Sequence, residues 1–159
     1  MSGPIALARV TAVGRALDTK VNDVVLGAVT GSLQAYLLAR GEDVRGLNLR
    51  AMVPVYLHLW DDPDDLRNGF GLVYLSLPLG VADPVRRLQV LKRRMGEIKR
   101  SPEAAITYDI LRGLGFTPPP FEHLIARAFG IKATAVMTNV KGPSEVRYLA
   151  GDPVGRMVF

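Results

Sequence analysis

The sequence predicts a mixed α/β or α+β sandwich in a single domain over residues 1–159, and three observations lead there. Segments of helical and strand periodicity follow one another as helix, strand, strand, two or three helices, strand, strand, an order that packs helices on a mixed sheet. Hydrophobic residues make up 48% of the 159, enough for one core in a chain near the usual domain size of roughly 100–150 residues. There is no cysteine, so neither a disulfide framework nor a thiolate metal site stands in for that core.

The first helix is expected from about Thr19 to Arg40. Thr19 is its expected N-cap, Val21, Val24, Val25, Ala28 and Val29 recur at helical spacing, and Gly41 suits a left-handed C-terminal cap. Asn22 and Asp23 interrupt its apolar opening, in the first turn, where unpaired backbone N–H groups favour an acceptor or an anion. Leu47 to Leu59 reads as a strand. Its Pro54 has no N–H for a ladder, so the strand is expected at an edge, at a bulge, or with the proline turned to an unpaired side.

Asp61-Asp62-Pro63-Asp64-Asp65 lacks the spacing and central glycine of a calcium loop and reads as a solvated turn. Phe70 to Leu79 is the second strand. Alternation places Val73, Leu75, Leu77 and Leu79 on an aliphatic face expected to be buried, with Leu72, Tyr74, Ser76 and Pro78 opposite.

Asp83-Pro84 opens the next helix, Asp as N-cap and Pro at the first helical position, where its missing N–H costs nothing. Val85, Leu88, Leu91, Met95 and Ile98 form the expected inward stripe, leaving Arg86, Arg87, Arg93, Arg94, Lys99 and Arg100 largely outside it. That cationic face suits phosphate groups or an anionic lipid surface, and equally a plain solvated surface.

Ser101-Pro102-Glu103 starts a further helix to about Leu114, with Ile106, Ile110 and Leu111 on one face. Pro118-Pro119-Pro120 breaks regular structure before a short helix from about Phe121 to Phe129, in which His123 reads as partly buried structure rather than a base. Thr134 to Val140 is expected as a strand ending in the turn residues Asn139, Gly142 and Pro143. Val146 to Leu149 is a short strand, and Gly155 to Phe159 begins another.

A net charge of +5 and a pI near 9.8 suit phosphates, anionic lipid or nucleic acid alike. Nucleic acid is set aside, because no zinc-finger spacing, no RNP-like aromatic pattern and no Lys/Arg-only run longer than Lys92-Arg93-Arg94 supports it. The start Met1-Ser2-Gly3-Pro4 has no basic leader before an apolar core and reads as a fragment start. Val21 to Ala39 carries Asn22, Asp23, Thr30, Ser32 and Gln34, too polar for a membrane span.

Five stretches then carry a resemblance, in chain order. They are Asn22-Asp23 with the aliphatic run after it; Ala51-Met52-Val53-Pro54-Val55; Asn68-Gly69-Phe70-Gly71; Thr138-Asn139-Val140-Lys141-Gly142-Pro143; and Tyr148-Leu149-Ala150-Gly151. Together they resemble the C-terminal domain of the wax ester synthase/diacylglycerol acyltransferase family, within the CoA-dependent acyltransferases. Arg67, Gly69 and Lys141 depart from that family's usual Gly, Arg and Pro.

The resemblance implies the C-terminal half of a chloramphenicol-acetyltransferase-like fold, cut short at its C-terminus, that helps move a fatty acyl group from acyl-CoA to a long-chain alcohol or diacylglycerol. Acyl-CoA is then a substrate, and no separate cofactor is expected. The family's base is the second histidine of His-His-x-x-x-Asp-Gly in an N-terminal domain. Here His58 and His123 are the two histidines, and neither leads into Asp-Gly at that spacing. No catalytic residue is therefore assigned to this chain, and an N-terminal acyltransferase half, absent here, is the expected partner. Asn22, Asp23, Asn68, Thr138 and Asn139 are the candidate substrate-binding or interdomain residues. For Asn22 and Asp23 helix capping with a buried hydrogen bond also serves, and for Asn139 ordinary turn chemistry. A cytoplasmic protein, peripheral at a membrane or lipid-inclusion surface, is the matching location. A non-catalytic module binding acyl chains, lipid or a partner is the alternative.

Overall fold

A computed structural model describes residues 3, 5–56, 70–114, 127, 133–139, 142 and 145–154. Helix α1 (Leu7–Ala16) and helix α2 (Val21–Ala39) precede strands β1 (Asn48–Tyr56) and β2 (Phe70–Pro78); helices α3 (Pro84–Arg100) and α4 (Glu103–Leu114) follow, then short strands β3 (Ala135–Val136), β4 (Tyr148–Leu149) and β5 (Asp152–Pro153). What the sequence predicts for residues 57–69, for Pro118-Pro119-Pro120, for Phe121 to Phe129 apart from the helical Arg127, for Val140, Lys141 and Pro143, and for Gly155 to Phe159 falls outside the described residues.

The sheet runs in the order β2-β1-β3. Strands β1 and β2 are antiparallel from Asn48 opposite Pro78 to Tyr56 opposite Phe70, and β3 is parallel to β1, with Ala51 opposite Ala135 and Met52 opposite Val136. The expected aliphatic face of β2 is the buried one: Val73, Leu75, Leu77 and Leu79 are each fully enclosed. Directly opposite, Val53 and Ala51 complete that face, and Leu26 of α2 with Leu91 and Met95 of α3 close over it. Each such aliphatic side chain contributes about 1.5–3 kcal/mol by leaving water.

Strand β1 is central, so the edge expectation for Pro54 is not realised. The carbonyls of Arg50 and Met52 accept from Thr134 and Met137 at 2.8 Å each, which turns the even residues of β1 toward β3. Pro54 is the next even position, beyond the last β3 residue, so its missing N–H interrupts no ladder bond.

The outer edge of β2 is sealed by a helix rather than a strand. Thr107 Oγ1 accepts from the Leu72 N–H at 3.0 Å and donates to the Leu72 carbonyl at 2.7 Å, while Glu103 Oε1 accepts from the Tyr74 N–H at 3.0 Å. Such side-chain pairing removes the exposed ladder that makes sheet edges adhesive. The approach is close enough to require glycine: a Cβ on Gly71 would lie 2.0 Å from the Ala104 carbonyl oxygen.

Two expectations are corrected, and one helix is found that none foresaw. Helix α1 was not anticipated; its N-cap Ala6 supplies no capping side chain and among its residues only Gly14 is buried, so neither a start signal nor a core stripe marks it in the sequence. Thr19 does not cap α2, which has Lys20 at its N-cap and Val21 as its first residue. On α3, Val85 is 46% exposed whereas Arg87, expected outside, is 8% exposed. Among the described side chains of α4, Ala104 and Thr107 are buried and Ile106 is 53% exposed, because the helix addresses the β2 edge through Thr107. The Asp83 cap holds as expected, its Oδ1 accepting from Arg86 N at 2.6 Å. Arg40 and Gly41 end α2 as expected, Gly41 at φ +78°.

Candidate functional site

Three of the residues singled out in the sequence converge on one cavity. Asn22, Val25, Leu26 and Val29 lie along one side of α2, and Val136, Met137, Thr138 and Asn139 run from β3 into the segment after it; together they line about 330 Å³. Asn139 Nδ2 donates to Asn22 Oδ1 at 3.4 Å across 117 positions of sequence. The walls are aliphatic and the amides sit at one part of the lining, which is the make-up of a pocket for an apolar body with a polar reacting end. Its placement follows from β3: hydrogen bonds from the N–H groups of Thr134 and Met137 to the carbonyls of Arg50 and Met52 fix the chain beside β1 and deliver Thr138 and Asn139 next to the start of α2. Val25, Val29 and Val136 remain partly in solvent, Val136 at 66%.

Asp23 does not join this cavity. Successive helix residues point about 100° apart, and Asp23 is turned into the N-terminus of its own helix, 6% exposed, with Oδ2 accepting from Lys20 N at 3.0 Å. The adjacent pair thus divides its work, Asn22 facing Asn139 and Asp23 holding the helix start. Asn68 lies outside the described residues.

Asp23 instead lines a second cavity of about 350 Å³, with Asp18, Thr19, Lys20, Lys92, Met95, Gly96 and Lys99. Lys92 donates to Asp18 Oδ2 at 2.8 Å and to the Asp18 carbonyl at 2.5 Å. The ammonium holds the Asp18 carboxyl below its ordinary range, chiefly by that hydrogen bond and then by charge. Sequence reading named Lys99 among the cations of α3 but missed Lys20 and Lys92, since only the fold brings the start of α2 against the middle of α3. Arg94 is another cation spent internally, donating to Asn48 Oδ1 at 2.8 Å and to the Ser76 carbonyl at 2.5 Å.

Among the described residues no group of acidic, histidine or cysteine side chains is placed to hold a metal, and no helix is long and apolar enough to cross a membrane. Both histidines lie outside the described residues.

Known proteins resemble this chain in sequence and in fold. The family description of the WS/DGAT C-terminal domain matches residues 66–159. Two probable diacylglycerol O-acyltransferases of Mycobacterium tuberculosis are 28% and 32% identical over 151 residues, covering 92% and 90% of this chain and 33% and 32% of their own. The O-acyltransferase WSD of Acinetobacter baylyi is 28% identical over 142 residues, 87% of this chain and 30% of that protein. A solved wax ester synthase/diacylglycerol acyltransferase from Marinobacter aquaeolei superposes with a TM-score of 0.65 at 28% identity, covering 96% of this chain and 34% of that one. The chain thus spans about a third of the relatives it matches. By its matched domain, its mixed α/β architecture and these relatives, the chain belongs to the wax ester synthase/diacylglycerol acyltransferase family.

Proposed function

We propose that this chain is the C-terminal half of an O-acyltransferase that moves a fatty acyl group from acyl-CoA to a long-chain alcohol or diacylglycerol, within a chloramphenicol-acetyltransferase-like two-domain fold. The observation that carries the reading is the meeting of Asn22, Thr138 and Asn139 with five aliphatic side chains around one cavity. Its partly exposed valines make it one wall of a cleft, and an N-terminal half bearing the histidine motif supplies the other.

In the assembled cleft the histidine of the N-terminal half takes the proton of the acceptor hydroxyl. The resulting oxygen attacks the thioester carbonyl, a C–O bond forms, the C–S bond breaks, and the proton passes to the departing thiolate. What this chain contributes is position. Val25, Leu26, Val29, Val136 and Met137 take the apolar chain out of water at about 0.8 kcal/mol per buried methylene. The carboxamides of Asn22 and Asn139 hold each other and line the wall that faces the reacting end. Asn68 belongs to the same proposed set by the family resemblance. The lysine-lined cavity beside Asp23 is the cationic neighbour suited to CoA phosphates. The partly exposed aliphatic wall also suits a peripheral seat at a lipid surface.

The test is reconstitution. The chain is combined with an N-terminal half of a family member, and acyl transfer from palmitoyl-CoA to hexadecanol and to a diacylglycerol is measured. Turnover is expected from the pair and not from this chain alone. In the pair, Val29→Trp, which fills the cavity, is expected to lower kcat/KM at least tenfold, about 1.4 kcal/mol of transition-state stabilisation. Equal turnover by the isolated chain, or an unaffected Val29→Trp pair, overturns the reading.

A further inference from the structure

Helix α2 carries apolar side chains well past the cavity that Asn22 and Asn139 share. At a turn of about 100° per residue, Asn22, Val25, Val29, Leu33, Tyr36 and Arg40 fall on one flank of it. Val24, Gly27 and Gly31 face α1 and α3 on the other flank, and Leu26, Thr30 and Gln34 are buried. Val25 and Val29 are each 38% exposed and Tyr36 58%, whereas Leu33 is partly buried against the core. Val29 is the last α2 residue of the cavity wall, so the stripe runs on beyond the cavity. It ends where the Arg40 guanidinium lies over the Tyr36 ring, 5.6 Å from its centroid. A ring held by a cation is a bulky and a polar stop, because a hydrocarbon tail pushed past it would strip water from the guanidinium without replacing its hydrogen bonds.

Tyr36 stands about 21 Å along the axis from Asn22, at about 1.5 Å per residue. Two layers of lipid tails make roughly 30 Å of bilayer hydrocarbon. A stripe of this length therefore takes one tail of membrane-lipid size, drawn straight, and a ten-carbon tail ends well before the ring. We infer that this flank of α2 is the track of the acyl tail and that Tyr36, backed by Arg40, sets the longest tail accepted. The tail is the donor's rather than the acceptor's. The lysine-lined cavity opens at the same end of α2, through Lys20 and Asp23, and of the two substrates only the CoA thioester has anionic phosphates to meet it. The inference rests on the acyl-transfer reading, since the N-terminal half that completes the cavity also covers the stripe.

The experiment uses the reconstituted pair and reads kcat/KM along two series: acyl-CoA from decanoyl to eicosanoyl with hexadecanol fixed, and alcohols from decanol to eicosanol with palmitoyl-CoA fixed. The unmodified pair is expected to lose about tenfold between palmitoyl-CoA and eicosanoyl-CoA, and Tyr36→Ala to recover about fivefold of that loss, with decanoyl-CoA and the acceptor series unchanged within about twofold. Tyr36→Trp, a larger stop, is expected to lower palmitoyl-CoA about fivefold and to spare decanoyl-CoA. Because Tyr36 is exposed, the thermal midpoint is expected to stay in place in both variants. A donor profile of Tyr36→Ala that superposes on that of the unmodified pair, a uniform fall across all donors, or a shift in the acceptor series instead overturns the inference and leaves acyl transfer standing. A pair inactive with every donor removes the acyl-transfer reading and the inference with it.

Discussion

Asp23 and Asn22 are neighbours with separable consequences. Removing the Asp23 carboxylate in Asp23→Ala takes away the acceptor for Lys20 N; the loss is expected to cost about 1 kcal/mol, typical of an N-terminal capping group, read as a lower urea midpoint. Asn22→Ala removes a long 3.4 Å contact to an exposed Asn139 and is expected to leave the midpoint nearly unchanged. A double-mutant cycle of Asn22→Ala with Asn139→Ala is expected to show coupling below about 0.5 kcal/mol in stability. At Asp18 the consequence is in pH. Its folded carboxyl is depressed by Lys92, so its contribution is complete above the unfolded value and is lost as acid takes the solution down through the folded one. Lys92→Met is expected to raise the Asp18 midpoint toward its ordinary range, checked by a carboxyl NMR titration.

Among the elements, the join between β2 and α4 is the most exacting. Gly71→Ala drives a methyl into the Ala104 carbonyl, backbone against backbone, and is expected to destabilise by about 3 kcal/mol or more, at the upper end of overpacking costs. Thr107→Val keeps the shape but strands the Leu72 N–H; a loss of about 1–3 kcal/mol is expected, with faster amide exchange at Leu72 and Tyr74. The alternation of β2 was legible because a strand with one aliphatic face has one way to turn. The burial of α4 was not, since periodicity weighs Ile106 and Ile110 above a threonine, and the threonine has a partner 35 positions away. Arg87 misled for the same reason: an arginine on a cationic helix reads as solvated until Gln34 and two carbonyls are found around its head.

For the molecule as a whole, the helix, strand, strand, helix, helix order was readable from punctuation such as Asp83-Pro84, Gly41 and the β2 alternation. The resemblance named Asn22, Thr138 and Asn139, yet nothing local says that they face one another. That follows from the parallel docking of β3, a long-range pairing with no spacing signal. Apolar side chains stay exposed on α2 at Tyr36 and Leu38, on β3 at Val136 and on the β4–β5 hairpin at Tyr148 and Leu149. The isolated chain is therefore expected to self-associate in sedimentation velocity at micromolar concentration, and an N-terminal family half to convert it to a defined 1:1 complex.

Strand β3 is two residues long and pairs with β1 at Ala51 and Met52, so the side of the amide-bearing cavity that it carries rests on a much shorter ladder than the one between β1 and β2. If the proposed lipid tail fills that cavity it is expected to protect this short ladder, and slower deuterium uptake at Met137, whose N–H reaches the Met52 carbonyl, is the measurement that checks it.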